Sequence, residues 1–553
     1  MSISNTVKSI QDIMRKDTGV DGDAQRIGQL VWMLFLKVFD DKETEWEMLK
    51  DNYQSPIPEN LRWRVWAAND EDLTGDKLKN FIDNELFPTL KELKTQADDS
   101  AKYVIGSLFE DAYNYMKSGQ LIREVINKIQ GGIDFNKTKE RHLFGDMYEQ
   151  ILKGLQSAGN AGEFYTPRAV TQFIVNRVDP KLNEKVLDPA CGTGGFLTCT
   201  IDHKRKHYAL TTDAEQVLQN SIYGIEKKPL PHLLATTNMF LHGIEIPVQI
   251  RHDNTLAKAL IAWTPEERVD VIVTNPPFGG MEENGIESNF PKEFQTRETA
   301  DLFMVLIIRL LKDGGRAAVV LPDGFLFGEG MKTRLKEKLL TECNLHTIVR
   351  LPNGVFSPYT GIKTNLLFFT KGKPTETIWF YEHPYPEGVK NYNKTKPMRF
   401  AEFQPEIDWW GDEADGFRSR VENEQAWKVN FASLKADAES RAKPHQQQAE
   451  KLKQQAGALN SEIKSLAKNT PDEQTNTLKQ QLDTLNQQAK EQQQAGDAIY
   501  NAIFNLDCKN PHKVELFSHD PDVLLSQYAA EQQEIEGLRQ QLKAILNTAL
   551  SSH

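Results

Sequence analysis

Apolar residues change their rhythm twice along the chain. Up to about residue 155 they recur at helical spacing. Ile27, Leu30, Leu34, Phe35 and Val38 do so in QRIGQLVWMLFLKVFDDK, and Leu121, Val125, Ile126 and Ile129 do so before Gly131-Gly132, a helix stop. Residues 51–75 carry prolines and charges and are expected to form an excursion from the helical body. Nothing here carries chemistry, so residues 1–155 are read as an N-terminal helical packing or docking domain.

From about residue 156 to 430, short apolar runs alternate with helical stretches. KVLD (185–188), SIYGIE (221–226), VDVIVTN (269–275), RAAVVLP (316–322) and HTIVRL (346–351) read as buried strands. Between them LTCTIDHKRKH, KPLPHLLATTNMFLHG and ADLFMVLIIRLLKDGG read as helices. The alternation predicts an α/β domain, a parallel Rossmann-like sheet with helices on both faces. TNLLFF and ETIWFYE, separated by little more than GKP, suggest a hairpin added at the sheet edge.

Residues 431–553 turn rich in Gln, Ala, Lys and Glu. Leu452, Ala456, Leu459, Ile463 and Leu466 step by four and three. After a break at Asn469-Thr470-Pro471 the rhythm resumes at Leu478, Leu482, Leu485 and Ala489, with Ile499 and Ile503 in phase. This is a coiled-coil-like heptad seam in two helices joined by a turn, most economically an antiparallel hairpin. The seam means packing, against this chain or another. One more helix is expected in PDVLLSQYAAEQQEIEGLRQQLKAILNTAL.

Composition narrows the function. The formal net charge of -12 over 553 residues does not suit a free-standing nucleic-acid binder, although a local basic cleft or a basic partner would. The four cysteines, Cys191, Cys199, Cys343 and Cys508, show neither CxxC nor zinc spacing, so no metal is expected and a reducing cytoplasm is the simplest setting. The N-terminus shows no signal peptide, and no apolar run reaches about 18 residues, the length of a membrane span.

Two local patterns carry chemistry. In VLDPACGTGGF a strand ends at Asp188, and Gly192, Thr193, Gly194 and Gly195 lead into a helix, the geometry that admits a ligand at the carboxyl edge of a sheet. Such a turn serves NAD, a nucleotide or S-adenosylmethionine, or is merely a turn. NAD fits poorly: the spacing is not G-x-G-x-x-G, and Glu226 lies beyond the roughly 20 residues of that fingerprint. Glu226 ends the strand YGIE and suits ribose hydroxyls. The second pattern is Asn275-Pro276-Pro277-Phe278 after VDVIVT. The prolines stiffen the elbow and remove two N–H donors, leaving the Asn275 oxygen and the Pro276 carbonyl as acceptors beside an aromatic face. That set suits a planar amine.

Taken together, DPACGTGGF and NPPF resemble the adenine-N6 class of DNA amino-methyltransferases. GEFYTP, DPACGTGGF, GIE, HDNTL, NPPF, LPDGFLFG and LPNGVFSPYTGIKTNLLFF, in this order, resemble the modification subunit of type I restriction–modification systems. The likeness is tightest over residues 140–372 and includes a helical N-terminal domain and a helical tail. It implies S-adenosylmethionine as cofactor. Gly162, Glu163, Phe164, Tyr165, Thr166 and Pro167 would line its methionine end, Asp188 and the glycine turn would pack against it, Glu226 would hold its ribose and Asp253 its adenine amine. Asn275, Pro276, Pro277 and Phe278 would hold a target adenine flipped from duplex DNA, with Phe356 and Phe368 as candidates for the other ring face.

The resemblance also implies partners: a DNA-specificity subunit that reads sequence, with two copies of this chain per copy of it, and a restriction subunit. No G-x-x-x-x-G-K-[ST] appears, so ATP-driven translocation and cleavage would belong to that last chain. The rival readings are a cytosine-N4 methyltransferase, a protein glutamine methyltransferase and a non-catalytic assembly scaffold. Asn rather than Ser before Pro-Pro disfavours the first, the GEFYTP element the second, and intact Asn275 and Glu226 the third. The run His203-Lys204-Arg205-Lys206-His207 is expected to be a solvated helix end, where cations suit the helix dipole. Residues 279–298 are expected to be a flexible polar loop, either a lid or plain surface. Cys191 is expected to be a small turn residue, not a nucleophile.

Overall fold

Val, Ile and Leu runs buried on both faces build the centre of the molecule. In the computed structural model these runs are β1 (Val186–Asp188), β2 (Ile222–Glu226), β3 (Ile250–His252), β4 (Val269–Thr274), β5 (Leu311–Pro322), β6 (Cys343–Arg350), β7 (Thr364–Lys371), β8 (Thr377–Glu382) and β9 (Ala426–Asn430). They form one mixed sheet in the order β3-β2-β1-β4-β5-β7-β6-β8-β9. The structure describes residues 3–69, 73–96, 99–132, 165–209, 211–357, 360–393, 396–465 and 472–513, and parts of 525–543. Two units result, Met1–Cys508 and Lys509–His553.

β1 to β5 pair in parallel, as the alternation predicts. Side chains alternate between two cores. Ile272, Ala317, Val319 and Leu321 enter one, and Val271, Val273, Ala318 and Val320 the other. Two expectations need correction. The TNLLFF and ETIWFYE runs do not pair with each other. β7 inserts antiparallel between β5 and β6, and β8 lies parallel on the far side of β6. The four residues at which β7 is apolar on both faces, Leu366 to Phe369, are fully buried, which an edge hairpin would not allow. The helix expected to run through LLKDGG stops at Leu310, because strand β5 starts at Leu311.

The N-terminal region is helical, with helices Ile3–Met14, Asp23–Leu49, Ser100–Phe109 and Gly119–Gly132. Ile27, Leu30, Leu34, Phe35, Val38, Val125, Ile126 and Ile129 are buried. Residues 51–75 are not a detached excursion. Leu61, Trp63 and Trp66 bury themselves from two short turns, and Trp63 meets Trp66 edge-on at 5.4 Å. This core continues onto the helix Pro229–Leu241 that follows β2. Phe240 packs edge-on against Phe35 at 5.6 Å and Phe39 at 5.7 Å. Aromatic pairs of this kind add roughly 0.5–1.5 kcal/mol each beyond their buried area.

β9 runs straight into the helix Phe431–Ser465, which pairs with the helix Asp472–Asn501. His445 bonds Gln492 at 2.8 Å, while Phe431 meets Phe504 at 6.1 Å. The pairing is therefore antiparallel, and this seam closes within the chain. Leu452, Ala456 and Ala489 are buried along it, with Leu459, Ile463, Leu478, Leu482 and Leu485 half-buried. Leu466 and the Asn469-Thr470-Pro471 break lie outside the described residues. Phe431, Phe504 and Leu506 join the core under the sheet. The chain then returns to the carboxyl edge, where Arg350 at the end of β6 pairs with Asp507 at 2.6 Å and donates to the Cys508 carbonyl at 3.2 Å.

The basic run is largely not solvated. Lys204 is fully buried and donates to the Leu182 and Glu184 carbonyls and to Ser221 Oγ at 2.7–3.2 Å. Arg205 pairs with Glu215, and His203 bonds Asp179 at 2.8 Å. Only Lys206 and His207 are exposed, and they sit at the far end of a helix that starts at the glycine turn. Three buried acceptors explain why a lysine enters the core here.

Candidate active site

The glycine turn connects β1 to the helix Gly195–His207 at the carboxyl edge. Its two left-handed glycines do different work. Gly192 has φ +53°, and a Cβ there would meet only open space, so its backbone is open to a ligand. Gly194 has φ +81°, and a Cβ there would sit 3.2 Å from Met239 Cε, so this glycine lets the turn lie against the neighbouring helix. Gly195 is already helical, and Thr193 accepts through its carbonyl from Asn238 Nδ2 at 3.1 Å. Thr255 Oγ1 donates to the Pro189 carbonyl at 2.6 Å. The turn is thereby held from two other elements.

Glu226, at the end of β2, lies beside this turn. Its Oε2 accepts from the Gly192 N–H at 2.9 Å and its Oε1 from the Lys228 N–H at 2.8 Å. Two backbone donors aim the carboxylate. Asp253 follows β3, is exposed, and bonds the Glu226 carbonyl through its own N–H at 3.0 Å. Both acids therefore stand at the ends of adjacent strands, Glu226 directly on the Gly192 backbone and Asp253 one bond further out.

Asp188 is almost wholly buried below the turn. It accepts from Thr274 Oγ1 at 2.7 Å and from the Ala190 N–H at 3.2 Å. Burial pushes its carboxyl up to about 7, against the pull of those two bonds and with added repulsion from Glu226. Asp188 thus ties the glycine turn to the residue just before Asn275. Burial, with Asp188 and Glu226 nearby, also raises the Cys191 thiol well above its usual range, in keeping with a packing role.

Asn275 and Pro276 are buried at the end of β4, and Pro277 is half-buried. Asn275 Nδ2 donates to Thr166 Oγ1 at 3.0 Å. Asn275 Oδ1 is buried and accepts no hydrogen bond from the described residues. The elbow therefore presents an unmatched acceptor. Phe278 is buried, with its ring edge-on to Phe356 at 6.4 Å. Phe368 packs instead against Trp410 at 4.8 Å and Phe173 at 6.1 Å.

Of the GEFYTP element, Tyr165, Thr166 and Pro167 are described and lie half-buried. Gly162, Glu163 and Phe164 lie outside the described residues. Pro167 caps the helix Arg168–Val178. Residues 279–298 form an anchored loop instead of a flexible one. Phe290 and Phe294 are buried, Asn289 bonds the Leu256 and Ala257 carbonyls at 3.0 Å, and Lys227, next to Glu226, pairs with Glu282 and Glu283. Thr274, Thr255 and Asn238, which brace the turn, were not legible as site residues. The first two sit inside quoted motifs, but a threonine's hydrogen-bond partner leaves no mark in a sequence.

Comparison with known proteins adds the family. The model for "N-6 DNA Methylase" matches residues 139–455, and that for "HsdM N-terminal domain" matches residues 3–129. The EcoEI type I restriction enzyme methylase subunit of Escherichia coli is 59% identical over 100% of this chain and 99% of its own. The crystal structure of a modification subunit, assigned to a type I restriction enzyme of Vibrio vulnificus YJ016, is 44% identical. It aligns with a TM-score of 0.70 over 78% of this chain and 93% of that one. A chain from a structural study of complex assembly and conformational transition in a type I restriction–modification system is 30% identical, with a TM-score of 0.70 over 99% of both chains.

Proposed function

The chain belongs to the methylase subunits of type I restriction enzymes, adenine-specific DNA methyltransferases, and from that premise we propose how its site works. The buried, unmatched Asn275 Oδ1 carries the reading. A buried acceptor without a donor costs about 1–3 kcal/mol, so it is tolerated where a ligand brings the donor. The adenine N6 amine brings two N–H groups, one for Asn275 Oδ1 and one for the Pro276 carbonyl. Pairing in duplex DNA hides that amine, so the base must flip into the site, where Phe278 would stack on its ring.

The residues present fit S-adenosylmethionine as methyl donor. Gly192 offers open backbone, Glu226 an aimed carboxylate for ribose hydroxyls, and Asp253 an exposed one for the cofactor's adenine amine. Gly162 to Pro167 would line the methionine end. When bound, the cofactor supplies a sulfonium-activated methyl group. The protein's part is placement: Asn275 and Pro276 accept hydrogen bonds from the amine's two N–H groups, which turns its nitrogen towards tetrahedral geometry and points its lone pair at the methyl. With that group in place the amine nitrogen would take the methyl as the methyl–sulfur bond breaks, and one N6 proton would leave to water.

The acidic chain works with partners that supply the affinity for DNA. We assign sequence reading to a specificity subunit that gathers two copies of this chain, and cleavage to a restriction subunit. Residues 1–155 would serve packing, 156–430 catalysis and 431–553 assembly. The deciding experiment is Asn275→Ala in the assembled complex. Labelled-methyl transfer should vanish while S-adenosylmethionine binding stays near normal, and near-normal transfer would sink the assignment.

A further inference from the structure

Thr166 belongs to an element that the family resemblance gives to the cofactor, yet its hydroxyl touches the catalytic amide. We infer that Thr166 is a positioning residue for Asn275, setting which end of the amide faces the substrate amine. This rests on the reading of Asn275 given above.

A carboxamide turned half a circle about its last bond swaps a donor for an acceptor with almost no change of shape. A site that must accept from an amine needs something to choose between the two states. In the structure Nδ2 donates to Thr166 Oγ1 at 3.0 Å, and Oδ1, in a buried position, meets no donor among the described residues. A hydroxyl also donates, so it could serve the turned amide before substrate arrives. The incoming amine breaks the tie. Only with Oδ1 towards the amine do both ends of the amide meet complementary groups, and Thr166 is what gives Nδ2 its acceptor in that state. Turned round, Nδ2 would face the amine donor to donor. No other acceptor for Nδ2 is found among the described residues.

Thr166 is placed firmly enough for this task. Pro167 follows it and caps the helix Arg168–Val178. Arg168 Nη1 donates to Thr198 Oγ1 at 2.7 Å, and Arg168 pairs with Asp202 at 2.8 Å, both on the helix that springs from the glycine turn. The hydroxyl is therefore fixed relative to the cofactor turn and not carried on a free strand of chain. One hydroxyl, 109 residues away in sequence, sets the polarity of the elbow.

The test uses the assembled methyltransferase complex with Thr166→Val, Thr166→Ser and Asn275→Ala. Valine keeps the volume and removes the acceptor. Turnover should fall roughly 10- to 100-fold, the scale of one lost buried hydrogen bond, and by much more than S-adenosylmethionine affinity read by calorimetry. Serine should restore most of the rate. The second readout is the ratio of affinities for duplexes carrying adenine or purine, which lacks the 6-amine, at the target position. The parent should favour adenine, Thr166→Val should bring the ratio close to one, and Thr166→Ser should restore it. An unchanged rate and ratio in Thr166→Val would overturn the inference. So would a serine variant as impaired as valine, or a cofactor affinity that falls in step with the rate. If Asn275→Ala itself keeps turnover, the acceptor reading fails first. If that variant is dead while Thr166→Val is normal, only the role of Thr166 fails.

Discussion

Replacing Asp188 by Asn should stabilise the protein more at alkaline than at mildly acid pH. Asp188 is about 1% exposed, and burial raises its carboxyl from 3.8 to about 7. A carboxyl whose folded value lies above its unfolded value costs stability as pH rises. Between 3.8 and about 7 the folded state keeps a proton that the unfolded state has lost, and above about 7 the cost levels off. At 1.36 kcal/mol per unit the cost comes to about 3 kcal/mol at pH 6 and about 4 kcal/mol at pH 8.5. Asn keeps an oxygen for Thr274 and the Ala190 N–H and never ionises. Whatever constant effect its NH2 group brings, the variant should gain about 1.4 kcal/mol on the parent between pH 6 and 8.5. Lys204, which burial lowers to about 8, titrates in the same window but is common to both proteins and cancels. Urea unfolding followed by the fluorescence of the nine tryptophans measures the difference at each pH. A variant–parent gap that is flat across this range, or that shrinks with rising pH, would refute the assignment of a buried, late-ionising Asp188.

Glu226→Ala removes the carboxylate aimed by Gly192 and Lys228 and should weaken S-adenosylmethionine binding by roughly 10-fold or more, read by calorimetry. Unchanged affinity would take Glu226 out of the cofactor site. Gly224→Ala places a Cβ 2.8 Å from Leu197 Cδ1 and 3.1 Å from both Cys191 Sγ and Ile250 Cδ1. Overpacking beneath the turn should cost about 1–3 kcal/mol, visible as a lower unfolding temperature. Ending the chain after Cys508 should leave unfolding temperature and cofactor affinity near the parent's. Ending it after Pro444 should lower both, because Phe504 and Leu506 leave the sheet's core. Equal behaviour of the two truncations in a thermal melt would contradict that packing.

The parallel half of the sheet was legible because β1, β2 and β4 are short, doubly buried and end in residues with chemistry. The reversed half was not. Pairing depends on which strand lies nearest in space, and adjacency in sequence made TNLLFF and ETIWFYE look like partners. β9 escaped notice because AWKVN is short, half polar and runs directly into a helix. Residues 51–75 looked polar because the burial there rests on single residues, Leu61, Trp63 and Trp66, without periodicity. At the candidate site, the placement of Asn275 and Glu226 at strand ends on one edge of the sheet was legible from the strand and turn patterns. The bond from Asn275 to Thr166 was not, since a hydroxyl adopts its partner only once the chain has folded.

The return of the chain to Arg350 has a mechanical consequence. The hairpin of Phe431–Ser465 and Asp472–Asn501 leaves the sheet through β9 and comes back to it at the end of β6, where Arg350 holds Asp507 and the Cys508 carbonyl. It is therefore fastened at both roots. Fraying from either root has to break a strand pairing on one side or an ion pair and core packing on the other, so the hairpin opens with the sheet rather than before it.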